Sequence, residues 1–302
     1  MAPTLPISRD DQGVITLTLR QEGRPVVVLD HALLREIDGA MVEIAAMKPA
    51  GFVLASEGRV YIAGANLEEI MRLSDAELHE YLRFGQRAFG RIAELPCTSV
   101  ASVHGAVLGG GLEIAMHCDR LIGLAPHSPK PGVPAKPYAV GLPEAGLCIC
   151  PGWGGTNMLA ARIDPRLAIE MTATGKPFTC IEAKETGLFD ALMATPAELL
   201  TEARRIALSP KRTTGKVGEP LAVSNSRDLG LIRTALAASQ ASVPPSEAAK
   251  AVFDCVLAGV EGGPADGWRA CLDREREHLV RLRSMPEGKA AIASFFEKSG
   301  SK

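Results

Sequence analysis

The chain has 302 residues, 46% hydrophobic and 23% charged, with a formal net charge of -2. That length supports a core that needs no disulfide or structural metal, and the near-neutral balance gives no field for non-specific nucleic-acid binding. Seven cysteines without a paired framework, no basic-then-apolar leader and no bilayer-length apolar run predict a reduced, cytoplasmic protein with no membrane partner.

Residues 13–19, GVITLTL, alternate and are rich in β-branched side chains, which predicts a half-buried strand. Residues 25–29, PVVVL, predict a second, shorter one. From His31 to Met47 the apolar spacing becomes helical, with Leu33, Leu34, Ile37, Met41, Ile44 and Ala45 on one side. The unbroken run GFVLA at 51–55 predicts a strand buried on both faces. Ser74-Asp75-Ala76-Glu77 has the form of a capping box, and the helix it opens should stop near Leu95, before Pro96.

A strand at Ser99–Val103 precedes a glycine-rich passage, His104 to Gly111, then a helix over Leu112–Cys118 and a strand over Arg120–Leu124. The stretch 126–137, PHSPKPGVPAKP, holds five prolines and excludes regular structure. After Ile163 the pattern is mostly helical. A polar, Gly/Pro-punctuated segment at 209–226 suggests a division into residues 1–208 and a helical region, 209–302. Alternating strands and helices predict an α/β core with a largely parallel sheet.

Three segments carry candidate chemistry. In Tyr61-Ile62-Ala63-Gly64-Ala65-Asn66-Leu67-Glu68, small residues let a ligand approach the backbone, and Gly64 permits an unusual φ. In His104-Gly105-Ala106-Val107-Leu108-Gly109-Gly110-Gly111-Leu112-Glu113, three glycines before a helix offer unshielded N–H groups at its positive end. The third is Gly141-Leu142-Pro143-Glu144, followed by Pro151-Gly152-Trp153-Gly154-Gly155-Thr156. Singly, each has a bland reading: a tight turn, a solvated glutamate in a first helical turn, a surface Pro-Glu, a packing tryptophan. Their combination, in this order, outweighs those readings.

The combination resembles the crotonase superfamily, the enoyl-CoA hydratase/isomerase family. IAGANLEEI, SVHGAVLGGGLEIAMHCDRLIG, GLPEAGLCICPGWGGTNMLAARI and LAIEMTATGKPFTCIEAKETGLFDAL carry the likeness over about residues 13–195. VPPSEAAKAVFDCVLAGVEGG through MPEGKAAIASFFEKS is similar, more weakly, to the hydratase portion of multifunctional fatty-acid-oxidation proteins. The resemblance implies an α/β spiral of ββα turns, a helical C-terminal region that trimerises and covers the site, and a homotrimer or dimer of trimers. It also implies an oxyanion hole from the N–H groups of Ala65 and Gly110, with Ala63, Gly64, Asn66, Leu67, Glu68 and Gly109 binding substrate. Glu113 and Glu144 match the two catalytic carboxylates of the family's hydratases. The implied partner is an acyl-CoA thioester, which is substrate, so no separate cofactor is expected. The implied reaction is hydration of a trans-2-enoyl-CoA, with Glu113 as base and Glu144 as proton donor.

Rival readings are another reaction of the same family, double-bond isomerisation or dehydration, and a non-catalytic acyl-CoA-binding subunit. The glycines do not form the G-x-G-x-x-G fingerprint of a dinucleotide site, and the chain is short for the dehydrogenase portion fused in larger relatives. No metal is expected: Cys148-Ile149-Cys150 lacks a second ligand pair, and Cys118, Cys148 and Cys150 read as small buried hydrophobes. His104 reads as structural. One departure from the family is clear: the segment between Asp119 and Glu144 is longer than in most relatives and contains the proline-rich stretch. It either borders the acyl pocket or is a surface loop.

Overall fold

The computed structural model describes residues 5–127, 134–211 and 218–300. Strands β1 (Ile7–Arg9) and β2 (Val14–Leu19) pair antiparallel at the start of the chain. Helix α1 (His31–Ala46) leads to β3 (Gly51–Ser56), parallel to β2. Helices α2 (Leu67–Arg72) and α3 (Asp75–Glu94) lead to β4 (Ser99–Val103), parallel to β3. The short β5 (Val107–Leu108) and α4 (Gly110–Met116) precede β6 (Arg120–Leu124), which is parallel to β4. Then follow β7 (Ala139–Gly141), a 3-10 turn over Glu144–Leu147, α5 (Gly155–Arg162) and α6 (Pro165–Thr174). β8 (Phe178–Thr179), α7 (Cys180–Glu185), β9 (Leu192–Met193) and α8 (Pro196–Ala207) come next. The chain continues with α9 (Leu229–Ser242), α10 (Glu247–Ser284) and α11 (Pro286–Gly300). One sheet has the order β1-β2-β3-β4-β6-β9 and is parallel after its first pair; the other is β5-β7-β8.

The larger sheet is covered on both faces. Val14, Val53, Val100 and Ile122 point to α8, against Leu199, Ala203, Ile206 and Ala207. Ile15, Phe52, Leu54, Ala101 and Leu121 point the other way, into the main core. Strand β2 is therefore buried on both sides instead of half-buried, because α8 arrives far downstream to cover its second face. Gly51 is needed at that contact: a Cβ there would lie 2.6 Å from the carbonyl oxygen of Ala207.

Local signals are realised in detail. The Ser74 capping box forms, with Glu77 N–H donating to Ser74 Oγ (3.3 Å) and Ser74 N–H to Glu77 Oε2 (2.9 Å). Leu78, Leu82, Phe89, Ile92 and Ala93 form the buried stripe of α3. Two expectations change. Residues 25–29 form no strand, only an extended run that pairs with the loop around Ala65. Helix α4 starts at Gly110, ahead of Leu112, so Gly110 is its first residue. Of the proline-rich stretch, 128–133 lie outside the described residues; 126, 127 and 134–137 carry no helix or strand. Tyr138 Oη donates to the Leu124 carbonyl (2.9 Å), tying the far end of that stretch back to β6.

Helix α10 is broken at Gly263 (φ +53°), followed by Pro264, a pairing that combines freedom at positive φ with a lost N–H donor. It packs against α3, α5 and α6. Gln86 of α3 donates to the carbonyls of Gly152 and Leu272, both at 2.9 Å, and joins α3, the loop before α5 and α10. No helix among the described residues is long and apolar enough to cross a membrane.

Candidate active site

The extended run 25–29 fixes the loop of the first motif. Ala63 N–H donates to Val27 (2.9 Å), Leu29 N–H to Gly64 (2.9 Å) and Asn66 N–H to Leu29 (3.0 Å). On the loop's other side Ile62 pairs with Val107 of β5. Gly64 has φ +113°, and a Cβ on it would lie 3.2 Å from the Leu108 carbonyl oxygen and 3.9 Å from the Gly110 nitrogen. The two glycine-rich segments therefore face each other at backbone distance, and Gly64 allows that approach. Gly110 heads α4, so its N–H has no carbonyl one turn back. Among the hydrogen bonds of the described residues, neither the N–H of Ala65 nor that of Gly110 is a donor.

Glu113 lies in the first turn of α4 and is 1% exposed. Its Oε1 accepts the N–H of Trp153 (2.7 Å) and of Gly155 (2.9 Å). Among the described residues no donor reaches its Oε2. Burial pushes its carboxyl well above the ordinary value, the neighbouring Glu275 and Glu144 add to that, and the two N–H groups oppose it. Glu144 begins the 3-10 turn after β7. The residue is half-buried, but its Oε2 is fully enclosed without a partner. Burial pushes its carboxyl up to about 8, against a pull from its own N–H. Cys148, which ends that turn, holds a left-handed φ of +57°, unusual for a side chain other than glycine.

These groups line one cavity of about 140 Å³. Its backbone edge is Ala63, Gly64, Ala65, Gly109 and Gly110, and both Glu113 and Glu144 reach it. Apolar walls come from Ile70, Leu82, Ile149, Trp153, Leu279 and Phe295. Trp153 is 1% exposed, donates Nε1–H to the Leu82 carbonyl (3.2 Å) and meets Tyr81 and Phe89 edge-on. A groove of about 620 Å³ around Arg20, Arg24, Asp30 and Glu57 is larger but contains none of the motif residues. The smaller cavity is the one that joins unshielded N–H groups to buried carboxyls.

Of the residues expected to bind substrate, Ala63, Gly64, Leu67 and Gly109 line this cavity, whereas Asn66 and Glu68 do not. The side chain of Asn66 is taken up in capping α2, accepting from Glu69 N–H at 3.1 Å. His104 bonds the Gly58 carbonyl, and Cys118 and Cys150 are fully buried. Sequence reasoning missed Glu275, Leu279 and Phe295, which arrive from α10 and α11. Glu275 sits in the charged run DREREH, which reads as a solvated helix face, so no local signal marks it.

The family description "Enoyl-CoA hydratase/isomerase" matches residues 9–212. The chain belongs to the enoyl-CoA hydratase/isomerase family. A Bacillus subtilis relative named "Probable enoyl-CoA hydratase" is 32% identical over 201 residues, covering 65% of this chain and 72% of the relative. The fatty acid oxidation complex subunit alpha of Aliivibrio fischeri is 29% identical over 304 residues, 96% of this chain but 41% of that protein. The chain thus spans about two fifths of that relative's length. The fold matches an enoyl-CoA hydratase structure from Bacillus halodurans with a TM-score of 0.67 at 19% identity, covering 97% of this chain and 100% of the other. It matches one from Mycobacterium smegmatis with a TM-score of 0.65 at 18% identity, covering 98% and 90%. Family membership and the α/β crotonase fold with its helical C-terminal region are thereby established.

Proposed function

We propose that the protein is an enoyl-CoA hydratase that adds water to a trans-2-enoyl-CoA, giving the 3-hydroxyacyl-CoA. The observation that carries this reading is the pair of buried carboxyls, Glu113 and Glu144, at one cavity whose other side offers the N–H groups of Ala65 and Gly110. The thioester oxygen docks on those two N–H groups. As water attacks C3, the C2–C3 π bond breaks and negative charge moves onto that oxygen. Fixed donors oppose the charge, and each is worth about 100- to 1000-fold.

The two carboxyls divide the proton work. Burial raises both carboxyls, so the pair holds a proton at neutral pH; the two N–H donors on Glu113 oppose its rise, and we assign Glu113 the charged form and the role of base on the attacking water. Glu144 has no donor but its own N–H, and burial pushes it up to about 8, so we assign it the shared proton, to be delivered to C2. The proton taken by Glu113 and the one given by Glu144 balance the addition of one water. Because the carboxyls are coupled, they titrate as a set.

The cavity volume supports a short acyl group, since an apolar space of roughly 150 Å³ holds a benzene-sized molecule. Coenzyme A enters as part of the substrate, with no separate cofactor. Homotrimeric or hexameric assembly, supported by the family resemblance, a cytoplasmic location, supported by cysteines without a paired framework, and a regional division after residue 208, supported by the polar segment 209–226, belong to the same proposal. The test is product analysis with purified protein given 2-enoyl- and 3-enoyl-CoA of several lengths. 3-Hydroxyacyl-CoA from the 2-enoyl substrates supports the reading. Only shifted double bonds would replace it with an isomerase, and binding without turnover would replace it with an acyl-CoA-binding subunit.

A further inference from the structure

Four consecutive backbone N–H groups at the head of α5 are shared alternately between two buried carboxylates. Glu113 takes those of Trp153 and Gly155. Glu275, from the second half of α10, takes those of Gly154 (2.5 Å) and Thr156 (2.9 Å), and also the Thr156 hydroxyl (2.6 Å). Glu275 is 0% exposed. Among the described residues its partners include no cation, and the head of α5 supplies its counter-charge. A carboxylate buried at a helix start is a costly choice where a neutral cap would suffice, and its position beside Glu113 gives it a use.

We propose that Glu275 is a positioning residue of the active site: by holding Gly154 and Thr156 it leaves Trp153 and Gly155 to Glu113 and fixes Glu113 with its second oxygen free for water. The inference rests on the hydratase reading for the role of Glu113. Three further observations support it. Leu279, one turn beyond Glu275 on α10, lines the substrate cavity, so the same helix shapes both carboxylate and pocket. Arg276 beside it donates to Gln86 (2.8 Å), which in turn holds the Gly152 carbonyl just ahead of the shared N–H groups. A Cβ on Gly155 would stand 2.9 Å from Glu113 Oε1, so the clamp tolerates no side chain there.

The arrangement also ties the proton affinity of Glu113 to Glu275, whose charge opposes a second charge beside it. The other titratable groups around Glu113 are Glu144 from the 3-10 turn, Cys271 from α10, Cys150 from the loop before α5, Tyr81 from α3, and His117, which bonds the Glu113 carbonyl. All of these remain when Glu275 alone is changed.

The test compares wild type, Glu275→Gln, Glu275→Asp and Thr156→Val by enoyl-CoA hydration across pH, with thermal midpoints measured alongside. Glu275→Gln is expected to lower kcat about 10- to 100-fold, the scale of a misplaced catalytic group, with KM little changed. Its acid limb should move to lower pH, because one negative charge has left the surroundings of Glu113. Glu275→Asp keeps the charge but not the reach, so kcat falls while the limb stays. Thr156→Val, which removes one donor from Glu275, shifts the limb part-way in the same direction. A lower thermal midpoint with unchanged kcat and limb in Glu275→Gln makes the residue merely structural and overturns the inference. If that variant cannot be isolated, an unchanged limb in Thr156→Val overturns it instead. If wild type shows no turnover, the hydratase reading fails separately. Titration of carbon-13-labelled glutamates, assigned with Glu113→Gln, then decides: a downward move of Glu113 in the Glu275 or Thr156 variants supports the coupling, and no move overturns it.

Discussion

The carboxyl of Glu144 occupies the space that a side chain on Gly109 would need. A Cβ built at Gly109 would lie 2.7 Å from Glu144 Oε1 and would require φ +54°, a conformation that disfavours side chains. The middle motif thus contributes two things from adjacent residues: an N–H at Gly110 and room for the acid at Gly109. Gly109→Ala is expected to keep the fold, since α4 starts one residue later, and to displace Glu144. The expected loss in kcat is about 100-fold or more, with substrate binding affected less. A stopped-flow comparison of kcat and KM checks this, and a variant with wild-type kcat would show that the contact is unimportant.

The pH profile carries a second expectation. A proton donor whose value stands near 8 works below it, so hydration is expected to decline as pH rises through about 8. Glu144→Gln should lose that limb along with most of its rate. Stability follows the same sign. A carboxyl raised from 4.5 to about 8 favours the folded state fully below 4.5 and loses that contribution as pH rises through 8. The thermal midpoint of Glu144→Gln relative to wild type should therefore improve steadily towards pH 8 and level off above it. A constant difference across that range would contradict the burial assigned to Glu144.

On the proposed function, Trp153 limits the room for the acyl chain, since it lines the cavity. Its indole fills the space left by two glycines: Cβ atoms at Gly85 and Gly110 would stand 2.3 Å and 2.4 Å from its ring atoms. Trp153→Leu is expected to cost about 3 kcal/mol or more in stability and to raise kcat/KM for octenoyl-CoA relative to crotonyl-CoA. Denaturant melts and a chain-length series measure both. An unchanged ratio in folded protein would remove Trp153 from the pocket wall.

How much of this was legible in the sequence depends on how local each signal is. The Ser74 capping box and the strand at residues 99–103 are written within a few residues and appear where expected, whereas the glycine turn before Glu113 ends two residues early, because Gly110 and Gly111 join α4. The second buried face of β2 was not legible, because its cover, α8, lies more than a hundred residues downstream. Nor was the fate of residues 25–29: their apolar, β-branched run suits a strand, but tertiary pairing turned it into the brace of the Ala65 loop. Asn66 was expected only at the substrate-binding edge, and its side chain instead caps α2, a role that the sequence reading did not draw. Glu275 was hidden most completely, because its function exists only where α10 meets α5.

On the proposed function, Glu113 and Glu144 together add water across an enoyl-CoA double bond. The most direct test is incubation of crotonyl-CoA in heavy-oxygen water with wild type, Glu113→Gln and Glu144→Gln, followed by mass analysis of the product. Heavy oxygen is expected at C3 of 3-hydroxybutyryl-CoA with wild type, at a rate about 100- to 10,000-fold above either variant. Absence of labelled product with wild type at every chain length, or wild-type rates in both variants, would contradict the proposed function.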